Sequence, residues 1–305
     1  MNTSPMLRLT RPAALMPLLL WLAACSSMPD SRQASQLWQS PAVSFAPGTP
    51  VAERIVQIAQ REHTAWHAPF MDVQGRLLSR RVAEAESKPL QDGSRAWERV
   101  AAYWRDSGTL HAVAASRNGA RQCLQPSAKM NRDACRSFVM DVPWSAAFVS
   151  YVMVQAGVPQ FTASPGHIHY IRAAWQQRGP YTLQDPEQTA VAAGDMLCYI
   201  RNHPQIEGYQ GLRAFLAVGN EWLPAHCDIV VAIRGQEAWL VGGNVSNTVA
   251  MRKLPLDGQG RALLPRPPGA GNTNPAAACS PENEAACNMN RQNWAALLQL
   301  KPETP

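Results

Sequence analysis

Residues 141–156 read Asp-Val-Pro-Trp-Ser-Ala-Ala-Phe-Val-Ser-Tyr-Val-Met-Val-Gln-Ala, and Gly157 follows them directly. This run is almost wholly apolar, so it predicts a buried helix that begins after Pro143 and ends at the glycine. Ser145 lies in the first turn, where the helix dipole favours negative charge. A dipole alone does not ionise a serine hydroxyl, so Ser145 acts as a nucleophile only if a base elsewhere activates it. The alternative is that Ser145 caps or packs in the first turn.

The flanking segments predict helices before this run and mostly strands after it. Helical spacing of apolar residues covers 49–66, 93–106 and 165–177. Short β-rich runs cover 196–201, 227–234, 237–241 and 248–254, and a short amphipathic helix is expected over 293–300. We therefore expect an α+β fold with helices on a small antiparallel sheet. Little periodicity is found over 108–141, and 256–289 indicates an irregular tail. Because no internal repeat is found, residues 49–305 are expected to form one domain.

The N-terminus carries features of an export signal. Arg8 and Arg11 precede an apolar run over 13–24, which ends in Leu-Ala-Ala before Cys25. This arrangement resembles a bacterial lipoprotein signal, which implies removal of residues 1–24 and lipidation of Cys25. Residues 25–48 then form a flexible tether. The absence of Asp after Cys25 favours, by the same resemblance, the outer membrane of a Gram-negative bacterium with the domain facing the periplasm. A secretory peptide cut after Ala24, or an uncleaved anchor, are the alternatives.

The charge of the chain excludes little. The formal net charge is +6 and falls to +4 without residues 1–24, because Arg8 and Arg11 leave and no acidic residue leaves with them. No Lys/Arg-rich run with interleaved aromatic residues is found, so nucleic acid is not an expected partner.

The six cysteines that follow Cys25 suggest disulfides in an oxidising compartment. They are Cys123, Cys135, Cys198, Cys227, Cys279 and Cys287. Proximity favours pairing the first two, the last two, and the middle two across neighbouring strands, although fifteen connectivities are formally open. The alternative is a free reactive thiol at Cys198 or Cys227. Zinc is disfavoured because no C-x-x-C pair occurs.

Four segments follow the layout of a known hydrolase group. Residues 143–150 resemble the Trp-Cys-Ala-x-Phe-Val start of the catalytic helix in CHAP-type and NlpC-type peptidoglycan hydrolases, with Ser145 in the place of cysteine. Residues 193–197 resemble the Pro-Gly-Asp turn that opens their first core strand. Residues 226–231 resemble the strand whose leading histidine is the general base, and 242–247 resemble the strand end that orients this histidine. The resemblance covers about 140–255 and implies a papain-like α+β fold.

Two segments also resemble the bacterial domain of unknown function 2272 family. They are Trp-Ser-Ala-Ala-Phe at 144–148 and the His-x-x-Tyr segment at 167–170. This resemblance implies a papain-like fold and no established activity.

The hydrolase layout implies a role for each polar residue of the site. Ser145 is expected to be the nucleophile, with His226 as its base and Asn244 as the residue that orients the imidazole. Asp228 lies two residues further along the same strand, so it shares a face with His226 and is an alternative orienting residue. Turn formation is the alternative explanation for Asn244. Cys227 points away from His226, because neighbours on a strand face opposite sides.

Further residues are weaker candidates. Trp144 and His169 are candidates for substrate binding, although most of the tryptophans are expected in the core. His167 and His169 are two residues apart on a predicted helix and cannot share a face. A metal site of His169, His226 and Asp228 remains open, but neither a metal nor another cofactor is expected.

The sequence therefore predicts an outer-membrane lipoprotein whose domain hydrolyses an amide bond of peptidoglycan. Its expected partners are peptidoglycan and, through the lipid anchor, the membrane. The alternatives are a non-catalytic module that binds peptidoglycan or an envelope partner, and a metal-dependent hydrolase.

Overall fold

A computed structural model of the chain describes residues 40, 42–124, 128–267 and 279–302. The proposed signal peptide, Cys25 and most of the tether lie outside these residues. The helices are α1 Val51–Ala65, α2 Ala96–Asp106, α3 Thr109–Val113, α4 Lys129–Asp141, α5 Ser145–Gln155, α6 His167–Trp175 and α7 Gly208–Val218. The strands are β1 Phe70–Met71, β2 Leu77–Leu78, β3 Tyr181–Gln184, β4 Met196–Ile200, β5 Ala225–Arg234, β6 Glu237–Val245, β7 Thr248–Pro255 and β8 Asn293–Leu300. The predicted α+β class is confirmed.

The strands of the described chain form one sheet in the order β2-β1-β7-β6-β5-β4-β8-β3. The pairs are antiparallel, except that β1 runs parallel to β7. The run β4-β5-β6-β7 is the meander that the sequence predicts. Four further strands widen the sheet on both sides, so it is larger than expected.

Helix α5 lies at the centre of the fold. Its residues Ser145–Met153 are all buried, which explains why the sequence is apolar on every side of this helix. It packs against α1, α2, β5 and β6. Gly243 on β6 lies against the ring of Phe148, where a Cβ atom would overlap it. The position of Ser145 is therefore fixed by packing along the whole helix.

Both ends of α5 follow from its sequence. Val142 precedes Pro143 and is extended, as the proline ring requires, so the chain turns by 104° between α4 and α5. At the other end Gly157 has a φ of +61°, and the N–H of Val158 bonds to the carbonyl of Met153 at 3.0 Å. This is the glycine-terminated helix end that the sequence predicts.

Apolar side chains cover both faces of the sheet. On one face the helices pack on β4, β5 and β8 to form the main core. On the other face a smaller core is formed by Val191, Leu197, Tyr199, Val230, Ala238, Leu240, Leu254, Leu256, Ala262, Trp294 and Leu297. The sheet is therefore buried between two layers, and its central strands are buried on both sides.

The helix predicted over 293–300 is wrong, because these residues form strand β8 between β4 and β3. Ala295 and Leu298 belong to the main core, whereas Trp294 and Leu297 belong to the smaller one. A strand buried on both faces is a short continuous apolar run, and periodicity alone does not distinguish such a run from a buried helix.

Three described helices arise where no periodicity predicts them, and the shortest is α3, which buries only Thr109 and Leu110. Helix α4 buries only Cys135, Phe138 and Val139, and the disulfide from Cys135 to Cys123 ties it to the preceding turn. The sequence between the strands predicted at 196–201 and 227–234 contains glycines and prolines and predicts a loop, but α7 forms there, and its core contacts are Leu212 and Leu216, one turn apart. Two or three buried residues are too few to give a helical pattern against a polar background.

The three proposed disulfides are confirmed: Cys123–Cys135, Cys198–Cys227 and Cys279–Cys287. The middle pair joins directly opposed residues of β4 and β5. Neither cysteine of the sheet is therefore a free thiol.

Among the described residues, no single helix has the length and apolar character to cross a membrane. Only α4 and α5 taken together reach that length and composition, and they are bent by 104° at the break between them.

Candidate functional site

The hydroxyl of Ser145 lies against an imidazole. His167 Nε2 is 2.8 Å from Ser145 Oγ. Ser145 is the first residue of α5 and His167 is the first residue of α6, so two helix N-termini meet at this contact. Both side chains are nearly enclosed, with 6% of Ser145 and 3% of His167 exposed. The pair has the nucleophile–base arrangement of a serine hydrolase.

The second nitrogen of this imidazole is also held. Tyr170 lies one turn further along α6, and its hydroxyl makes a short hydrogen bond with His167 Nδ1. When Nδ1–H donates to the tyrosine oxygen, Nε2 carries the lone pair and accepts the Ser145 hydroxyl proton. The Tyr170 hydroxyl can accept or donate at Nδ1, so this contact is compatible with the tautomer in which His167 acts as a base.

Burial keeps His167 in its neutral form. The pKa of this imidazole is lowered well below its usual value, first by removal from water and then by the neighbouring His226, while the charge of Asp228 opposes the shift. A neutral imidazole at neutral pH is the form that accepts a proton.

A second histidine lies beside the first. The rings of His167 and His226 are 5.2 Å apart between centroids, and Tyr199 stacks on the other side of His226 at 5.0 Å. His226 Nε2 bonds to Asp228 Oδ1 at 2.8 Å, whereas no hydrogen bond to His226 Nδ1 is found within the described part of the chain. The expectation that Asp228 shares a face with His226 is confirmed.

Asp228 is the centre of a buried ionic chain. Its Oδ2 accepts a hydrogen bond from Arg252 Nε at 3.0 Å, and Arg252 Nη1 donates to Asn290 Oδ1 at 2.8 Å. Burial alone would raise the pKa of Asp228, but His226 and Arg252 together hold it well below its usual range. The carboxylate packs against Gly242, where a Cβ atom would overlap it. The glycine pair of β6 thus makes room for the site.

The structure places the other predicted residues as follows. Asn244 has a φ of +56° near the end of β6, where the pairing with β7 shifts register, and Asp228, not Asn244, holds His226. Trp144 is fully buried and stacks on Trp66 in the core at 5.7 Å. His169 is exposed on the opposite side of α6 from His167, and its Nδ1 bonds to Ser164 Oγ at 2.5 Å.

The metal site considered in the sequence is not assembled. His169 contacts Trp222 and Ser164 instead of His226 and Asp228. Within residues 42–124, 128–267 and 279–302, no three His, Cys, Asp or Glu side chains are placed to hold a metal ion.

Sequence reasoning missed His167 and Tyr170 as partners of Ser145. The sequence feature that indicates them is the His-x-x-Tyr spacing at the start of a predicted helix. Residues three apart on a helix lie on the same face, one turn from each other. The resemblance to papain-like hydrolases predicts His226, on a strand, as the base. Nothing in the sequence shows that α6 begins beside α5.

These features define an α+β protein with a buried serine–histidine pair at the junction of two helices. Residues 91–300 match the family described as "Uncharacterized protein conserved in bacteria (DUF2272)". The chain belongs to that family. No curated protein and no solved structure matches it.

Proposed function

We propose that this protein is a cell-envelope hydrolase that cleaves an amide bond of peptidoglycan, with Ser145 as nucleophile and His167 as general base. The observation that carries the proposal is the 2.8 Å contact between Ser145 Oγ and His167 Nε2. The export signal and the resemblance to peptidoglycan hydrolases support the choice of substrate. The base differs from the one expected from the sequence, because His226 is bonded to Asp228 and His167 to Ser145.

The proposed reaction has two stages. His167 Nε2 accepts the hydroxyl proton as Ser145 Oγ bonds to the carbonyl carbon of the amide. The tetrahedral intermediate collapses, the C–N bond breaks, and His167 returns the proton to the leaving amine. A water molecule then gives a proton to His167 as it bonds to the ester carbon. The bond from that carbon to Ser145 Oγ breaks, His167 returns the proton to Oγ, and the acid is released.

Two features of the site suit this sequence. The first N–H groups of α5 have no carbonyl partner within their own helix, and no side chain caps them, so they are available to the oxyanion. The ionised Asp228 favours the cationic form of His167, which exists only during the reaction. The site thus holds a neutral base at rest and stabilises its protonated form in the intermediate.

The test compares four versions of the purified protein on isolated peptidoglycan: the unchanged chain, Ser145→Ala, His167→Ala and Asn220→Ala. Asn220 is an exposed residue outside the site and serves as the control. We expect new muropeptides from the unchanged chain and from Asn220→Ala only, with and without chelator. Product formation that persists in Ser145→Ala or His167→Ala contradicts the serine mechanism, and chelator-sensitive product formation supports a metal-dependent hydrolase instead.

The near-complete burial of Ser145 and His167 favours one second candidate, a non-catalytic module that binds peptidoglycan. In the same assay this module sediments with peptidoglycan and releases no products from any version.

A further inference from the structure

A large aromatic side chain stands exposed beside the serine–histidine pair. Trp222 is 60% exposed, although tryptophan is usually well buried. It lies in the connection between α7 and β5, four residues before His226. A single exposed apolar residue needs no explanation by itself, so the position of Trp222 beside the proposed base is what makes it a candidate for binding a ligand.

The indole is seated closely on the start of α6. Its six-membered ring lies against Gly166, where a Cβ atom would overlap it. Gly166 directly precedes His167, and consecutive Cα atoms are about 3.8 Å apart. The indole of Trp222 therefore contacts the residue that directly precedes the proposed base, His167.

Its segment is fixed on both sides. Arg172 Nη2 donates to the carbonyl of Glu221 at 2.7 Å, and the N–H of Arg201 bonds to the carbonyl of Pro224 at 2.9 Å. The edge of the His169 ring meets the indole at 5.8 Å between centroids. A rigid, exposed ring loses little conformational entropy when it binds a ligand.

The exposed surface continues past His169. This side chain also lines a cavity of about 390 Å³, together with Phe161, Tyr170 and Tyr181. Ser164 occupies Nδ1 of His169, and no hydrogen bond to Nε2 is found among the described residues. Trp222, His169 and the cavity are thus contiguous, and Tyr170, which bonds to His167, lines the same cavity.

We infer that Trp222 is a substrate-binding residue that stacks on the face of an N-acetylated sugar ring, while His169 Nε2 bonds to a polar group of that sugar. This inference rests on the proposed function and names the part of peptidoglycan that the site holds. A pyranose ring has an apolar C–H face for the indole and hydroxyl or amide groups for His169, which is the combination that this surface complements. The glycan strand is then anchored beside Ser145, and the peptide stem reaches the nucleophile.

The test is a binding measurement that needs no chemistry. Ser145→Ala in the full chain is titrated with a tetramer of N-acetylglucosamine and, separately, with a free stem peptide, using calorimetry. We expect Trp222→Ala in the same background to weaken binding of the sugar at least tenfold, and Trp222→Tyr to recover most of it. Val218→Ala, a change at the exposed last residue of α7, is the control and is expected to bind as before.

Three results overturn the inference. They are sugar binding that is unchanged in Trp222→Ala, no measurable sugar binding at all, and a loss confined to the stem peptide. Circular dichroism and thermal melting of each variant exclude misfolding, and Gly166→Ala, which displaces the indole without removing it, should weaken sugar binding in the same direction. A failure to release muropeptides in the earlier assay bears on the proposed function alone, because sugar binding is measured with the nucleophile removed.

Discussion

At the residue scale, the hydroxyl of Tyr170 holds Nδ1 of His167 and so helps to fix the imidazole that faces Ser145. A neutral hydroxyl holds Nδ1 here, in a place where serine hydrolases commonly use a carboxylate. The Asp228 carboxylate instead lies one ring away, on His226. The negative charge of Asp228 therefore stabilises a protonated His167 through space, without a hydrogen bond between the two residues.

Removal of the Tyr170 hydroxyl should slow catalysis without abolishing it. In Tyr170→Phe we expect kcat to fall about tenfold, because one hydrogen bond of about 1–1.5 kcal/mol no longer holds the His167 ring against Ser145. Steady-state kinetics of muropeptide release measure this effect. Tyr209→Phe, a tyrosine on α7 outside the site, is the control, and an equal loss in both variants contradicts the role of Tyr170.

The lowered pKa of His167 predicts the acid side of the pH profile. The base works only when neutral, so kcat/KM falls as the pH drops through the pKa of His167. Since burial holds that pKa well below 6.5, activity should persist at pH 6 and fall only in more acidic buffer. A profile of kcat/KM from pH 4 to 8 gives the result, and an acid limb at or above pH 6.5 is incompatible with a buried His167 as base.

Glu84 predicts a pH-dependent stability effect away from the reaction. Burial raises the pKa of this carboxyl to about 7. Its ionised form is therefore disfavoured in the folded state: the cost is absent below pH 4.5, grows up to about pH 7 and is complete above it. Glu84→Gln should raise the free energy of unfolding by about 3 kcal/mol at pH 8 and change it little at pH 4.

Urea unfolding at the two pH values checks this prediction. Glu282→Gln, at an exposed acid, is the control and is expected to have little effect at either pH. A gain in Glu84→Gln of the same size at pH 4 and pH 8 would show that ionisation of Glu84 is not its cause.

At the element scale, one disulfide joins two strands of the sheet and another closes a short loop outside it. Cys198 and Cys227 are 29 residues apart in the sequence, whereas Cys279 and Cys287 are only 8 residues apart. Because the stabilisation grows with the size of the closed loop, removal of the first pair should cost about 3–4 kcal/mol and removal of the second about 2–3 kcal/mol.

Paired alanine substitutions, Cys198→Ala with Cys227→Ala and Cys279→Ala with Cys287→Ala, measure the two costs by denaturant unfolding. The order of the two costs is the prediction. An equal or larger loss from the second pair would contradict the account of the sheet disulfide as a constraint on a long loop.

The elements also show how far a sequence predicts this fold. Helix α5 and strands β4–β7 were predicted because their apolar runs are long and bounded by Pro143, Gly157 or tight turns. Strand β8 was misassigned because Trp294 and Leu298 face different cores, which leaves a continuous apolar run without a strand period. Local sequence patterns indicate which residues are buried, but they do not indicate which layer covers each face of a strand.

At the scale of the whole molecule, the site depends on contacts between distant segments. Ser145, His167, His226 and Arg252 come from α5, α6, β5 and β7, and only the packed core sets their distances. The sequence predicts that Ser145 lies in the first turn of α5 and that Asp228 shares a strand face with His226. Each of these positions depends on one element alone. The Ser145–His167 contact joins two helix N-termini across a connection of eleven residues, and no local pattern encodes it.

The most direct test of the central claim is covalent labelling of Ser145, because it needs no knowledge of the substrate. The full chain is treated with a fluorophosphonate, which reacts with activated serines, and the adduct is counted by intact mass and located by peptide mapping. The account predicts one adduct per chain, on Ser145, formed far more slowly in His167→Ala and at the original rate in Asn220→Ala. No adduct on Ser145, or an equal rate in His167→Ala, would contradict it.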